Sequence, residues 1–412
     1  MKYIDEFRDG ALARQIAQRI AAEVRPGHAY RFMEFCGGHT HAISRYGVLE
    51  LLPPNVRMIH GPGCPVCVLP IGRVDLAIEL ALKHDVILCT YGDTMRVPAS
   101  DNLSLTKAKA RGGDIRMVYS AADALQLARA NPERQVVFFA IGFETTTPPT
   151  ALVIRDAARE GLSNFSVMCS HVLTPPAIRA ILDGGRPSAG PPQAGSAPLG
   201  GSDGNAVEER GGHDHEETAT IEGFVGPAHV SIIIGSDPYA KFAAEYKKPV
   251  VIAGFEPLDV LQAILMLVRQ VNQGRAEVEN EFIRAVTPTG NRNAQALMDE
   301  VFELREAFEW RGLGTMPLSA LRIREAYRAF DAEHRFNLAY KAVHDNKACE
   351  CGAILRGVKE PKDCKIFGTV CTPENPIGSC MVSSEGACAA HYTYGRFRDI
   401  PVVAAPALET TA

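Results

Sequence analysis

No apolar run in this sequence approaches the roughly 20 residues that a helix needs to cross a bilayer. The first ten residues, MKYIDEFRDG, are charged from the start and lack the apolar centre of a secretory signal. The basic clusters typical of nucleic-acid-binding proteins are also missing, and the formal net charge is -5. These absences predict a soluble, cytoplasmic protein that binds neither membranes nor nucleic acid.

Several common catalytic signatures are missing as well. The sequence contains no GxxxxGK[ST], no GxGxxG and no GxSxG, the patterns of P-loop nucleotide binding, dinucleotide binding and serine hydrolysis. What stands out instead is cysteine, with 11 in a chain of 412 residues. Without a secretory signal, such thiols favour metal or redox chemistry over a disulfide framework.

A repeating strand and helix pattern predicts the fold. From about residue 30, a short apolar run is followed by a loop rich in Gly, Pro, His or Thr and then by a helical pattern. This rhythm is typical of parallel sheets and predicts an α/β fold with two doubly wound parallel-sheet domains. Ligands of such sheets bind outside the carboxyl ends of the strands, where these loops lie. After about residue 272 the pattern becomes mostly helical until a cysteine-rich segment begins.

These patterns divide the chain into four segments. An amphipathic helix in residues 1–28 is expected to pack on the C-terminal domain. The two α/β domains are assigned to residues 29–130, with a thiol site, and 131–272, and the helical, cysteine-rich domain to residues 273–412. Within the second of these α/β domains, residues 183–220 are rich in Gly, Pro, Ala and Ser and have few large apolar residues, which predicts a disordered surface insertion.

Six cysteines crowd into the C-terminal segment. They are Cys349, Cys351, Cys364, Cys371, Cys380 and Cys388. A cubane cluster needs four thiolates and tolerates irregular spacing, whereas structural zinc usually shows two CxxC-like pairs, and the only tight pair here is CxC. The pattern favours a [4Fe-4S] cluster in an iron-sulfur domain, with zinc and plain thiols or disulfides as alternatives. Four of the six would bind the cluster and two could form a redox-active dithiol, but the spacing does not say which.

A second thiol site is predicted in Gly-rich loops near the N-terminus. Cys36 opens the motif CGGHTH, with His39 three residues later, and Cys64 and Cys67 form a CxxC motif in GPGCPVC. Because Cys64 lies between a predicted strand and helix, a helix N-terminus is expected to favour its thiolate as nucleophile, redox partner or metal ligand. His39 could donate hydrogen bonds or transfer protons. The alternatives are a structural cysteine pair and a histidine that caps a helix.

Polar side chains in other loops at the predicted strand ends are further candidates, although for each alone a role in a turn or helix cap is favoured over a functional one. They are Asp93, Arg96, Glu144, Thr145, Thr146, His171, His229 and Glu256. Cys89 and Cys169 lie inside apolar runs and are predicted to be buried.

Seven motifs together resemble the HypD family of hydrogenase maturation proteins. They are CGGHTH, GPGCPVCVLP, TYGDTMRVP, GFETTTPP, GPAHVS, PVVIAGFEPLDVL and CTPENPIGSCMVSSEGACAAHY. The resemblance runs over nearly the whole chain and departs from the family at residues 183–220, where relatives usually have a short connection. It implies a scaffold that holds iron, with a HypC-type chaperone, while cyanide and CO are attached to give the Fe(CN)2CO unit of [NiFe]-hydrogenases. It further implies a HypE-type cyanide donor and delivery to the hydrogenase large subunit through HypC.

The same resemblance implies roles for individual residues. Cys36 would ligate the mononuclear iron with His39 beside it, and Cys64 and Cys67, further candidate iron ligands, would be the redox pair. The C-terminal cysteines would hold the [4Fe-4S] cluster in an arrangement similar to ferredoxin-thioredoxin reductases, able to pass electrons toward these thiols. The chain would then be a metallocofactor assembly scaffold with redox activity. A stand-alone iron-sulfur thiol-disulfide oxidoreductase and a structural zinc protein are the alternatives.

Overall fold

The computed structural model describes residues 5–183 and 220–395. The predicted insertion at 183–220 lies outside the described residues except for its two end residues. None of the described helices is long and apolar enough to cross a bilayer.

Helices and strands alternate along most of the described chain. The helices are α1 (Gly10–Glu23), α2 (Gly37–Tyr46), α3 (Ile71–Lys83), α4 (Leu105–Ala110), α5 (Ala121–Ala130), α6 (Thr147–Glu160), α7 (Thr174–Leu182), α8 (Ala228–Ile234), α9 (Asp237–Tyr246), α10 (Pro257–Gln273) and α11 (Arg292–Val301). The strands are β1 (Tyr30–Glu34), β2 (Val56–His60), β3 (Ile87–Thr90), β4 (Ile115–Met117), β5 (Val136–Gly142), β6 (Phe165–His171), β7 (Gly223–Gly226), β8 (Val250–Ile252), β9 (Val278–Asn280), β10 (Phe302–Trp310) and β11 (Gly314–Ile323). Shorter helices follow at Ala332–Arg335, Cys351–Leu355 and Ala387–Ala390.

Two parallel sheets form the framework, which confirms the predicted α/β fold. The described strands give a five-stranded sheet in the order β2-β1-β7-β8-β9 and a four-stranded sheet in the order β4-β3-β5-β6. Neighbouring strands in both sheets run parallel. Every residue of β5 and β6 is buried, as expected for strands covered on both faces, and this explains their continuous apolar sequences.

The two sheets do not correspond to the two predicted α/β segments. Strands β3 and β4 belong with β5 and β6, whereas β7, β8 and β9 join β1 and β2. The predicted boundary at residue 130 therefore does not separate the two sheets. Local sequence patterns identify strands, but parallel pairing joins segments that lie far apart in the chain, and those patterns do not specify the partner.

The N-terminal helix also packs elsewhere than predicted. Its buried residues Ala13 and Ile20 join a core formed with α10 and the five-stranded sheet. The Glu23 carboxylate accepts a 2.6 Å hydrogen bond from Arg269 on α10. Residues 273–412 were expected to cover this helix, whereas the apolar face that covers it belongs to α10.

A β-hairpin occupies a region that the sequence pattern assigned to helices. Strands β10 and β11 pair antiparallel, and the indole N–H of the fully buried Trp310 donates to Ser319 Oγ at 2.9 Å. The sequence FELREAFEW contains many good helix formers, which favoured the helical interpretation. Cross-strand pairing and the burial of Trp310 override that intrinsic preference.

The packing of α1 can be tested with two substitutions in that helix. Ile20→Ala removes a fully buried side chain and should lower the free energy of unfolding by about 2–5 kcal/mol in urea denaturation. Leu12→Ala, at a position that is 44% exposed, is the matched control and should cost less than about 1 kcal/mol. Equal losses for the two variants would contradict the packing described here.

Candidate functional site: a thiol-lined cavity between the sheets

A cavity of about 490 Å³ lies at the carboxyl ends of β1, β2, β3 and β5. This is the edge at which open parallel sheets bind ligands. The side chains of interest on its wall are Cys36, Cys64, Asp93, Thr145, Thr146, His229 and Glu385. They come from both sheets and from the C-terminal segment, so the cavity exists only where all three parts meet.

Cys36 follows β1 and occupies the N-cap position of α2. Its backbone N–H donates to Glu34 Oε2 at 2.9 Å, and its thiol accepts a hydrogen bond from the backbone of Gly38. Burial, followed by the negative charges of Glu385 and Glu34, raises the pKa of the Cys36 thiol. The thiol is therefore held in its protonated form, and a cation placed beside the sulfur would offset these effects and favour the thiolate.

Glu34 is a fully buried carboxylate beneath Cys36. Besides the Cys36 N–H, it accepts a hydrogen bond from the Thr40 hydroxyl and lies 3.0 Å from His60 Nδ1. Buried carboxylates are costly unless they are hydrogen-bonded, and these partners satisfy the requirement. Glu34 therefore fixes the backbone at the start of the Cys36 loop.

Gly63 holds the Cys64 loop against Cys36. The Gly37 N–H donates to the Gly63 carbonyl at 3.1 Å, and a Cβ atom on Gly63 would lie 2.4 Å from the Cys36 nitrogen. Only glycine allows the two loops to approach so closely. The thiols of Cys36 and Cys64 consequently share one cavity. The helix N-terminus that was expected at Cys64 lies at Cys36 instead. After Cys64 the chain forms a turn, and α3 begins only at Ile71.

His39 is fully buried and supports the cavity wall from behind. Its Nε2 lies 3.0 Å from the carbonyl oxygens of Ala253 and Gly254, which assigns the proton to Nε2. Burial lowers the pKa of His39. Its ring packs 4.8 Å from Phe255, and Phe255 packs 4.2 Å from His229. Among the described residues it is His229, not His39, that lines the cavity.

Cys67 faces away from the cavity and toward the C-terminal segment. It is 1% exposed, and its thiol makes hydrogen-bond contacts with Cys64 and Cys380. Burial, followed by these contacts, raises the pKa of Cys67. Its carbonyl accepts a 2.5 Å hydrogen bond from the Ser379 hydroxyl. The CxxC pair therefore lies between the cavity and the C-terminal cysteines.

The C-terminal cysteines form a connected set around Cys351. The Cys351 thiol makes hydrogen-bond contacts with Cys349, Cys380 and Cys388. Its contact with Cys380, followed by the contact of Cys380 with Cys67, lowers the pKa of the Cys380 thiol. A thiol with a lowered pKa is the more reactive partner in exchange near neutral pH.

The remaining C-terminal cysteines are Cys364 and Cys371. The Cys371 sulfur accepts the Ile377 N–H at 3.4 Å and interacts electrostatically with Cys351 and Cys349. Cys364 contacts the Glu350 carboxylate. In the described part of the chain, no three His, Cys, Asp or Glu side chains are placed so that they could hold a single metal ion.

The backbone at Gly378 lies very close to two of the C-terminal thiols. A Cβ atom at this position would lie 2.4 Å from Cys349 Sγ and 2.6 Å from Cys351 Sγ. Backbone closely wrapped around several thiols, with an N–H donated to Cys371, suits a cluster with sulfur ligands. The donor set of this segment therefore fits the predicted [4Fe-4S] group.

The other predicted loop residues divide into two groups. Asp93, Thr145, Thr146 and His229 line the cavity. The rest make structural contacts: Glu144 accepts from Thr174, His171 contacts Thr150, Glu256 pairs with Arg8, and Arg96 donates to the carbonyls of Pro373 and Val382. Cys89 and Cys169 are buried in β3 and β6, as predicted.

Three residues with clear roles in this arrangement were missed in the sequence. Glu385 lines the cavity, Glu34 anchors the Cys36 loop and Ser379 binds the Cys67 carbonyl. Glu34 did carry a signal, since it is a charged residue that directly follows the apolar pair Phe32 and Met33 at the end of β1, two positions before Cys36. Ser379 and Glu385 carried none, because their contacts join segments about 300 residues apart.

A family model described as HypD, hydrogenase formation hypA family, matches residues 11–189 and 213–395. The chain belongs to the HypD family. The match omits residues 190–212, which fall inside the predicted insertion at 183–220.

Individual relatives align along almost their whole length. The hydrogenase maturation factor HypD of Cupriavidus necator is 69% identical, over 98% of this chain and 100% of the relative. The HypD of Azotobacter vinelandii is 64% identical over 98% and 100%, and that of Escherichia coli is 42% identical over 96% and 98%.

The buried carboxyl group of Glu144, next to the cavity threonines, should make the free energy of unfolding depend on pH. Burial raises the pKa of Glu144 from 4.5 to about 7. Between these values the folded chain keeps a proton that the unfolded chain has lost, so this group makes the free energy of unfolding fall as pH rises. Glu144→Gln should therefore gain stability relative to wild type by roughly 1–3 kcal/mol between pH 4.5 and 7 in urea denaturation.

The control for this prediction is Glu133→Gln at an exposed position. Its stability should follow the wild-type curve over the same pH range. Parallel curves for Glu144→Gln and wild type would show that Glu144 is ionised in the folded chain across this range.

Proposed function

We propose that this chain is a hydrogenase maturation factor that holds iron while cyanide and CO are attached to form Fe(CN)2CO. The supporting observation is a continuous path of thiols: Cys36 and Cys64 share a cavity, Cys64 contacts Cys67, and Cys67 contacts Cys380 of the C-terminal set. The relatives described above are named as hydrogenase maturation factors. Cytoplasmic action with a HypC-type chaperone, a HypE-type cyanide donor and a hydrogenase large subunit belongs to the same proposal.

Iron is the cargo of this site, and Cys36 is its ligand from this chain. Cys36 is the cavity thiol whose proton is held by burial and by the Glu385 and Glu34 charges, so an arriving ferrous ion would displace that proton. Glu385 and Asp93 on the same wall add negative charge that attracts a cation. The HypC-type partner would supply further ligands at the open side of the cavity.

The CxxC pair would release cyanide from a thiocyanate donor. Cleavage of the sulfur-carbon bond takes two electrons, which the two thiols provide: R–S–CN plus two thiols gives R–SH, cyanide, a proton and the Cys64–Cys67 disulfide. Cys64 is the thiol of this pair that reaches the cavity, so it meets the donor, and Cys67 closes the disulfide behind it. The cyanide is released beside the iron on Cys36.

The C-terminal segment would restore the reduced pair. Cys380 contacts Cys67 and, on its other side, Cys351, so these two form the dithiol that reduces the Cys64–Cys67 disulfide. The other four cysteines, Cys349, Cys364, Cys371 and Cys388, would then hold the [4Fe-4S] cluster. When bound, the cluster supplies single electrons from an external donor protein.

Burial argues against the alternative of a stand-alone disulfide oxidoreductase. Cys64 is 3% and Cys67 1% exposed, so a disulfide on a folded protein cannot approach them. A small thiocyanate group can reach Cys64 through the cavity. Stoichiometric reduction of unrelated protein disulfides by the purified chain would favour the alternative.

Substitution of Cys64 tests the proposed chemistry. In a reconstituted mixture with HypC-type and HypE-type partners, Cys64→Ala should lower cyanide transfer to iron by roughly a thousandfold or more, read from cyanide infrared bands. Cys169→Ala removes an equally buried cysteine far from the path and should leave transfer near the wild-type rate. Normal transfer by Cys64→Ala would refute the role of the CxxC pair.

Gly378→Ala tests the cluster separately. The new methyl group would collide with the Cys349 and Cys351 thiols, so protein purified without air should lose most of its cluster iron, counted by Mössbauer spectroscopy. Gly10→Ala, where the nearest atom is 3.6 Å away, is the control and should keep wild-type iron. A full cluster in Gly378→Ala, or zinc in place of iron in the wild-type chain, would contradict the assignment.

A further inference from the structure

Three consecutive residues connect the CxxC loop to the C-terminal thiols. Gly378 lies against the sulfur atoms of Cys349 and Cys351, Ser379 donates to the Cys67 carbonyl, and Cys380 contacts the thiols of both Cys67 and Cys351. Of these three residues, Ser379 is thus the one whose side chain forms a hydrogen bond with the backbone of the CxxC loop.

The Ser379 hydroxyl uses its proton in the hydrogen bond to the Cys67 carbonyl. Ser379 is fully buried, and its Oγ donates to the Cys67 oxygen at 2.5 Å. The same junction is packed from the other side by Gly386, where a Cβ atom would lie 2.3 Å from the Cys380 oxygen and 3.0 Å from Cys67 Sγ. A hydrogen bond and a close backbone contact therefore hold the segments that carry Cys67 and Cys380 against each other.

We propose that Ser379 is a positioning residue that sets the rate of thiol-disulfide exchange between Cys380 and Cys67. The role rests on the thiol path of the proposed function. The Cys380 thiolate attacks Cys67 Sγ, which breaks the Cys64–Cys67 bond, forms a Cys67–Cys380 disulfide and leaves Cys64 as thiolate. Cys351 thiolate then attacks Cys380 Sγ, which releases Cys67 thiolate and forms the Cys351–Cys380 disulfide. Both electrons come from the Cys351 and Cys380 thiolates.

Exchange of this kind is sensitive to placement. The attacking sulfur must reach one particular sulfur of the disulfide, and the reaction passes through a mixed disulfide. Displacement of reacting atoms by about 1 Å can slow such a step by roughly a hundredfold. Loss of the Ser379 hydroxyl frees the Cys67 carbonyl and the turn that carries Cys380, while every thiol remains present.

The test follows disulfides within the full-length chain. Fully reduced protein is treated without air with one equivalent of diamide, quenched in acid at set times and alkylated, and its disulfides are mapped by mass spectrometry. In wild type, the disulfide should redistribute rapidly between Cys64–Cys67 and Cys351–Cys380. Ser379→Ala should slow this redistribution by roughly ten- to a hundredfold, while added dithiothreitol still reduces the Cys64–Cys67 disulfide at the wild-type rate.

Two further variants separate positioning from stability. Ser319→Ala also deletes a fully buried hydroxyl that donates to a backbone carbonyl, that of Met316 at 2.9 Å, and should exchange like wild type. Ser379→Thr keeps a hydroxyl and should restore most of the rate lost in Ser379→Ala.

Each opposite result overturns the role of Ser379. Wild-type exchange in Ser379→Ala would do so, as would equal slowing in Ser319→Ala or no recovery in Ser379→Thr. Absence of any exchange in the wild-type chain would instead remove the thiol path of the proposed function, and this role with it.

Discussion

The thiol site depends on the close approach of Gly63 to the backbone of Cys36. Strands β1 and β2 place the two loops side by side, but it is the missing side chain at Gly63 that lets them touch. Cys36 and Cys64 then open into one cavity, and Cys67, three residues further on, turns toward the C-terminal segment. One backbone contact thus determines that Cys36 and Cys64 line the same cavity while Cys67 contacts the C-terminal cysteines.

Along the path from Cys36 to Cys380, the pKa of the thiols is shifted upward at first and downward at Cys380. Burial raises the pKa of Cys36 and Cys67, whereas contacts with Cys351 and Cys67 lower that of Cys380. Negative charge is therefore easiest to place on Cys380, the side from which electrons must come in the proposed function. At the other end, the raised pKa keeps the proton on the Cys36 thiol, which makes it a weak nucleophile.

The sequence predicted the strands, the loops at their carboxyl ends and both cysteine groups, because these depend on local apolar patterns and turn residues. It did not predict which strands share a sheet, since the pairing of β1 with β7 joins segments nearly 200 residues apart. It misassigned β10, whose helix-forming residues are held in a strand by β11. The contact of Ser379 with Cys67 could not be predicted for the same reason as the sheet pairing, because nothing local in either segment specifies it.

The interleaving of the two sheets also controls when the cavity can form during synthesis. Strand β7 separates β1 from β8, so the five-stranded sheet stays incomplete until the chain has passed β9, and Glu385 arrives later still. Long-range pairing of this kind forms slowly and late in folding. A chain that has not yet reached Glu385 therefore presents Cys36 without the walls that enclose it in the folded structure.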